Sequence, residues 1–171
     1  MIMAVSCSES ENIIDRDMTV VFYNVENLFD IKDEPGKQDD EFTPDGVNKW
    51  SRERYEKKIS DIAKVISSIN PRDLPEIVGL CEVENENVLE DLIAARGLSS
   101  GNYRAIHYES PDVRGIDCAL LYRQEEFKVT NHSFFKVKFK SDPGYRTRHI
   151  LYVSGSTVSG GELHIFVNHW P

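Results

Sequence analysis

Apolar residues recur along this chain with two periods, and the switches between them mark out its elements. Thr19-Val20-Val21-Phe22-Tyr23 is a β-rich apolar run that stops at Asn24, the pattern of a buried strand delivering its last residues to a sheet edge. Residues 29–49 are charged and punctuated by Pro35, Gly36, Pro44, Asp45 and Gly46, which predicts a long loop, and loops of that length are often functional. Tyr55, Ile59, Ile62, Ala63, Ile66 and Ile69 then recur at helical spacing, with Ser51 placed to cap the start and Asn70-Pro71 to stop the run. Residues 75–81 form a second buried strand that runs into the carboxylates of Glu82 and Glu84. Asn87 followed by Glu90 has the form of a polar cap with its reciprocal acid, opening a short helix through Val88, Leu89, Leu92 and Ile93 to Gly97.

Past Gly101 the texture changes to strands over residues 103–108, 118–122, 127–139, 149–153 and 163–167, separated by turn formers. Two strand-helix pairs followed by strands alone favour a mixed α/β sheet over a fully wound parallel one. Residues 1–17 are polar and aperiodic and read as a leader or tether, so the domain is expected over residues 18–171. The chain stops just after the apolar strand at 163–167, and the expectation is an incomplete domain whose missing surface lies in further chain or in another molecule.

Composition narrows the function classes. The 171 residues carry 20 Lys plus Arg against 29 Asp plus Glu, a formal charge of -9 that repels a long polyanion unless the basic residues gather on one face. A nucleic-acid-binding domain is therefore disfavoured, whereas an acidic excess suits a divalent-cation site. No run of about 18 apolar residues is present, so no transmembrane helix is expected. Ala4-Val5-Ser6-Cys7 looks like the tail of a bacterial lipoprotein signal, which implies a protein exported to or lipid-anchored in a bacterial envelope; an accidental match leaves it cytoplasmic. Cys81 and Cys118 sit inside apolar runs, where small buried hydrophobes are favoured over a disulfide or metal ligand, and no zinc spacing exists.

The chemistry gathers at strand ends, where loops converge functional groups on a rigid support. Glu82 offers a carboxylate to Mg²⁺ or Mn²⁺, Asn24 a neutral oxygen near the same ion, and His169 an imidazole. Each alone has a plainer reading: Asn24 a turn residue, Glu82 a solvated acid, His169 a polar strand terminator. Asp117 opens a buried strand, where an ionised acid needs a partner. That partner is His169, whose tautomer or charge it would fix, or else Arg114 or Arg123 in a structural pair. Arg114 and Arg148 are the guanidinium candidates for gripping phosphate, against the alternative of exposed strand-end cations for Arg146 and Arg148.

Together these residues resemble the N-terminal half of the endonuclease/exonuclease/phosphatase superfamily, the deoxyribonuclease-I-like enzymes. Phe22-Tyr23-Asn24-Val25-Glu26-Asn27 is similar to its opening Asn motif, and Leu80-Cys81-Glu82-Val83 to its metal-binding Glu strand, with Cys81 where many relatives have Gln. Arg114-Gly115-Ile116-Asp117 through Tyr122 resembles its central strand, and Val167-Asn168-His169-Trp170-Pro171 the segment of its first active-site His. The resemblance implies half of a four-layer α/β/β/α sandwich with mixed sheets, and cleavage of a phosphodiester or phosphomonoester by metal-activated water. Asn24 and Glu82 would then sit at the metal, with His169, Asp117 and Asn24 catalytic and Arg148 and Arg114 at the phosphate. The family's later Asp-x-Asn and Asp-His motifs have no counterpart in this sequence, so the chain alone is expected to be inactive, since loss of a general base alone costs about 10² to 10⁴ in rate. The substrates implied are small phosphodiesters, nucleic-acid fragments or lipid head groups. The alternative is a non-catalytic binding or assembly module that completes its sheet by self-association or with another chain.

Overall fold

The computed structural model describes residues 17–70 and 72–170; Cys7 and nearly all of the expected leader lie outside them. Among the described residues seven strands form two sheets. The first holds β1 (Val20–Leu28), β2 (Ile77–Val83), β4 (Asp117–Arg123) and β3 (Tyr103–His107) in the order β1-β2-β4-β3. It is mixed, because β1 and β2 run parallel while β4 is antiparallel to both β2 and β3. The second sheet, β5 (Phe127–Phe135), β6 (Ile150–Thr157) and β7 (Glu162–Val167), is antiparallel throughout rather than mixed, since adjoining strands are linked by direct reversals.

Helix α1 (Arg52–Ile69) crosses from β1 to β2, as a parallel pair requires. Ser51 caps it by accepting from Arg54 N, and its Tyr55, Ile59, Ile62, Ala63 and Ile66 are buried. Helix α2 (Glu86–Ala94) starts one residue before Asn87, the cap expected from sequence; the cap is Asn85, whose side chain accepts from Val88 N at 3.1 Å. The reason is that Val88, Leu89 and Leu92 define the buried face but not the first turn, which either Asn can cap.

Alternation along the strands divides the interior into two cores. Val78, Leu80, Ala119 and Leu121 face the two helices, whereas Ile77, Cys81, Cys118 and Leu120 face Phe127, Leu151, Val153 and Val167 of the second sheet. The order of layers is therefore helices, sheet, sheet. Gly79 lets the sheets approach, since a Cβ there would stand 3.3 Å from Val167 Cγ2. The far face of the second sheet carries Phe135 and Phe166, each about half exposed, in ring contact with one another and with Tyr152. Among the described residues no helix is long and apolar enough to cross a membrane.

Candidate active site

Parallel pairing of β1 and β2, with Asn24 opposite Cys81, brings two strand ends to one place. Both ends are irregular there. The register slips between Asn24 and Leu28 on β1 and between Cys81 and Val83 on β2, and Glu26, Asn27 and Glu82 all have left-handed backbones at φ 58, 63 and 65 degrees. Left-handed non-glycine residues cost of order 1 to 3 kcal/mol each and gather where geometry is functionally constrained. The strand that sequence reading stops at Asn24 thus continues as a bulge to Leu28, and Glu82 stands out of its ladder.

The bulge fixes the Glu82 carboxylate from two sides. Asn24 Nδ2 donates to Oε1 at 3.2 Å and the Asn27 backbone N–H to Oε2 at 3.0 Å. Asn24 Oδ1 in turn accepts from Glu26 N at 2.8 Å, so the amide is fixed and orients the acid through its other end. His169 follows β7, and its Nε2 lies 3.4 Å from Glu82 Oε1. Burial, reinforced by the Arg148 charge and opposed by Glu82, pushes the His169 imidazole below its ordinary value, so near neutral pH it is an uncharged ring with an N–H to give.

Arg148 holds this segment in place. It is buried, with Nε donating to His169 O at 2.9 Å, Nη2 to Trp170 O at 3.1 Å and Nη1 to Asp112 Oδ2 at 2.9 Å. Its fork is thus engaged by protein groups, while Arg146 is exposed. Arg114 stands near solvent: its side chain is 45% exposed, 3.7 Å from Asp112 Oδ1, and lines a cleft of about 520 Å³ with Asn27, Phe42 and Val47. The cleft is walled by the long loop after β1, pinned by Phe29 stacked on Phe42 at 4.3 Å and by Trp50 Nε1 donating to Phe29 O at 3.0 Å.

Asp117 makes no hydrogen bond to His169, contrary to the pairing weighed from sequence. Its carboxylate accepts from Ser110 N at 3.4 Å and lies 3.4 Å from His107 Nε2, because β3 and β4 pair so that His107 faces Ala119, two residues along. Sequence alone does not single out His107, Glu109 and Asp112; their signal is a density of His and acids from the end of the predicted strand at 103–108 into the loop that follows. Glu84, taken with Glu82 as a strand-end acid, is buried and its carboxyl is pushed up to about 8, by burial first and then by the charges of Asp30, Asp39 and Glu34, against a hydrogen bond from Asp30 N. Cys81 and Cys118 are free, buried thiols 3.6 Å apart.

A single carboxylate with both oxygens held and one side near solvent suits an ion such as Mg²⁺, which keeps waters and needs few protein ligands. Comparison with a family model shows the ancestry, and solved structures share the fold. Over residues 19–171 the chain matches the model of the Endonuclease/Exonuclease/phosphatase family. Among solved structures it is similar to an endonuclease/exonuclease/phosphatase family protein from Bacteroides thetaiotaomicron, with TM-score 0.55, 16% identity, 87% of this chain and 48% of that one. It is also similar to a mannosyl-6-phosphatase of the same organism, with TM-score 0.50, 18% identity, 88% of this chain and 50% of that one. The chain thus spans about half the length of these solved relatives. A stretch of 76 residues is 34% identical to the protein translocase subunit SecA of Paracidovorax citrulli, covering 44% of this chain and 8% of that protein, too little of it to bear on function. With the family match running from the first strand through the His169 segment, the chain belongs to the endonuclease/exonuclease/phosphatase family.

Proposed function

We propose that the whole protein hydrolyses a phosphodiester or phosphomonoester with water activated by Mg²⁺ or Mn²⁺ held at Glu82. Enzymes of the family hydrolyse phosphate esters and generally depend on a divalent metal. The observation that carries the reading is the convergence of three strand ends, which sets the oriented carboxylate of Glu82 beside Asn24 and His169, while Asn27, whose N–H holds Glu82, lines the cleft that Arg114 also lines. A divalent ion there would lower the pKa of its bound water and draw charge from a phosphoryl oxygen.

The chain's own residues divide the remaining tasks. Asn24 and the Asn27 N–H keep both Glu82 oxygens in one orientation, which lowers the reorganisation needed when a cation arrives. Neutral His169 presents an N–H donor to a phosphate oxygen as negative charge builds there. Arg114, on the cleft wall, is the phosphate-facing cation, and Arg148 positions His169 through its carbonyl. Asp117 lies apart from these groups, in the polar cluster with His107.

Half of the solved relatives' length remains beyond this chain. The proposal is that it supplies the second half of a four-layer sandwich, covering the aromatic face of Phe135, Tyr152 and Phe166, and that these 171 residues alone do not turn over. Lipid attachment at Cys7 belongs to the same proposal for an exported enzyme. The test is hydrolysis of bis-p-nitrophenyl phosphate with Mg²⁺ or Mn²⁺ after co-expression with a C-terminal half. Activity lost on chelation and on Glu82→Gln supports the reading; a folded, complete and inactive complex overturns it. The same exposed aromatic face supports a second reading, an assembly module, which light scattering separates by showing a dimer.

A further inference from the structure

We infer that His107, Glu109 and Asp117 form a second divalent-cation site, separate from Glu82 and suited to Zn²⁺ or Mn²⁺ rather than Mg²⁺. The inference goes beyond the proposed hydrolysis and does not depend on it. One ligand atom from each of the three residues lies within 4.8 Å of the other two. Ligands about 2.0 to 2.1 Å from a tetrahedral ion stand roughly 3.4 Å apart, so small side-chain rotations close the set. None of the three shares a hydrogen bond or ion pair with Asn24, Glu82 or His169.

The second observation is what these side chains lack. His107 and Asp117 have side chains only 6% and 1% exposed, and they face each other at 3.4 Å. Yet His107 Nε2 and Asp117 Oδ1 are buried without a hydrogen-bond partner. Buried polar atoms are nearly always satisfied, so an unpartnered His107 Nε2 facing a carboxylate that itself keeps one oxygen unpartnered marks a missing guest. The guest is cationic, because the space is bounded by two carboxylates and an imidazole nitrogen. A proton on His107 alone leaves Asp117 Oδ1 unserved.

The surroundings are built to hold still. Ser110 N donates to Asp117 Oδ2, Asp112 N to Ser110 Oγ at 3.3 Å, and Arg114 N to Asp112 Oδ1 at 3.0 Å, which ties the β3–β4 loop that carries Glu109. Gly115, at φ 71 degrees, lets the Lys37 side chain lie against the loop, and Lys37 Nζ reaches Ser110 O at 3.3 Å and stands 3.9 Å from Glu109 Oε2. Lys37 is thus a cover whose ammonium yields Glu109 to an arriving ion. Imidazole with carboxylates is a borderline donor set, which favours first-row transition ions and Zn²⁺ over the all-oxygen preference of Mg²⁺.

The experiment uses the full chain, stripped with chelator and titrated with ZnCl₂ or MgCl₂ by calorimetry, with metal content measured after gel filtration. Wild type is expected to retain Zn²⁺ at one equivalent that Mg²⁺ in large excess does not displace. His107→Gln and Glu109→Gln each weaken that equivalent at least tenfold, whereas Glu82→Gln leaves it in place. Glu109 is 56% exposed in its side chain, so its variant folds even if the His107 variant does not, and circular dichroism checks both. Zn²⁺ binding that is absent in wild type, unchanged in Glu109→Gln, or abolished by Glu82→Gln overturns the inference. That last outcome assigns the ion to the Glu82 centre, so failure here is distinct from failure of the proposed hydrolysis.

Discussion

Replacing Glu84 with Gln should make the protein more stable at alkaline pH and nearly unchanged at pH 4. Glu84 leaves β2 two residues after Glu82, is 2% exposed and accepts from Asp30 N at 2.5 Å. Its carboxyl titrates at about 8 in the folded chain against 4.5 for the ordinary group, because burial and the nearby Asp30, Asp39 and Glu34 disfavour a further negative charge. Between those two values the folded chain keeps a proton that the unfolded chain has released. Its contribution to stability is therefore complete below pH 4.5, falls by about 1.4 kcal/mol per unit through the window, and is gone above pH 8. The full interval amounts to about 5 kcal/mol, a large share of the 5 to 15 kcal/mol typical of a whole domain. Gln keeps an oxygen for Asp30 N and cannot ionise. Urea denaturation followed by circular dichroism from pH 5 to 9 measures the effect as the difference between wild type and variant, which cancels every other titration. Curves that run parallel across that range would refute a buried, protonated Glu84.

Two further substitutions probe the supports of the site. Arg148→Ala leaves Asp112 Oδ2 buried without its guanidinium, with the half-exposed Arg114 on the other oxygen, and should cost about 3 kcal/mol; in a double-mutant cycle with Asp112→Asn the two losses should fall short of additive by more than about 1 kcal/mol, and simple additivity in urea melts would contradict the clamp. Gly155→Ala places a Cβ against the Lys128 carbonyl and 2.7 Å from Phe127 Cζ, so β5 and β6 must part; a thermal melt should show a loss of about 1 to 3 kcal/mol, and an unchanged melt would mean the strands are not that close.

Much of this arrangement is legible in the sequence, and the rest is hidden for identifiable reasons. Apolar runs and Ser51 place β1, α1 and β2 because burial and capping are local properties, and the strand ends then bring Asn24, Glu82 and His169 forward as candidates. A bulge leaves no trace in that pattern, since one extra residue at Glu82 re-aims a side chain without changing which neighbours are apolar. The partner of Asp117 was open among His169, Arg114 and Arg123, and the residue it meets is His107, because antiparallel register, not sequence distance, decides who faces whom. Arg148 was read as a phosphate ligand because a strand-entry guanidinium looks free until the return of β7 brings the His169 and Trp170 carbonyls to it. The expected cap at Asn87 failed for the opposite reason, as two nearby Asn residues are locally equivalent and only the helix position selects Asn85.

Glu82 is the residue proposed to receive a divalent ion. Substoichiometric Mn²⁺ added to isotope-labelled chain tests this directly, because paramagnetic broadening reports distance to the ion by nuclear magnetic resonance without any turnover. The backbone N–H of Asn27 and the His169 ring, both in contact with the Glu82 carboxylate, should broaden in wild type and in a His107→Gln background alike, and Glu82→Gln should restore them. Asn27 and His169 signals that stay sharp in wild type, or broaden equally in Glu82→Gln, would contradict the central claim.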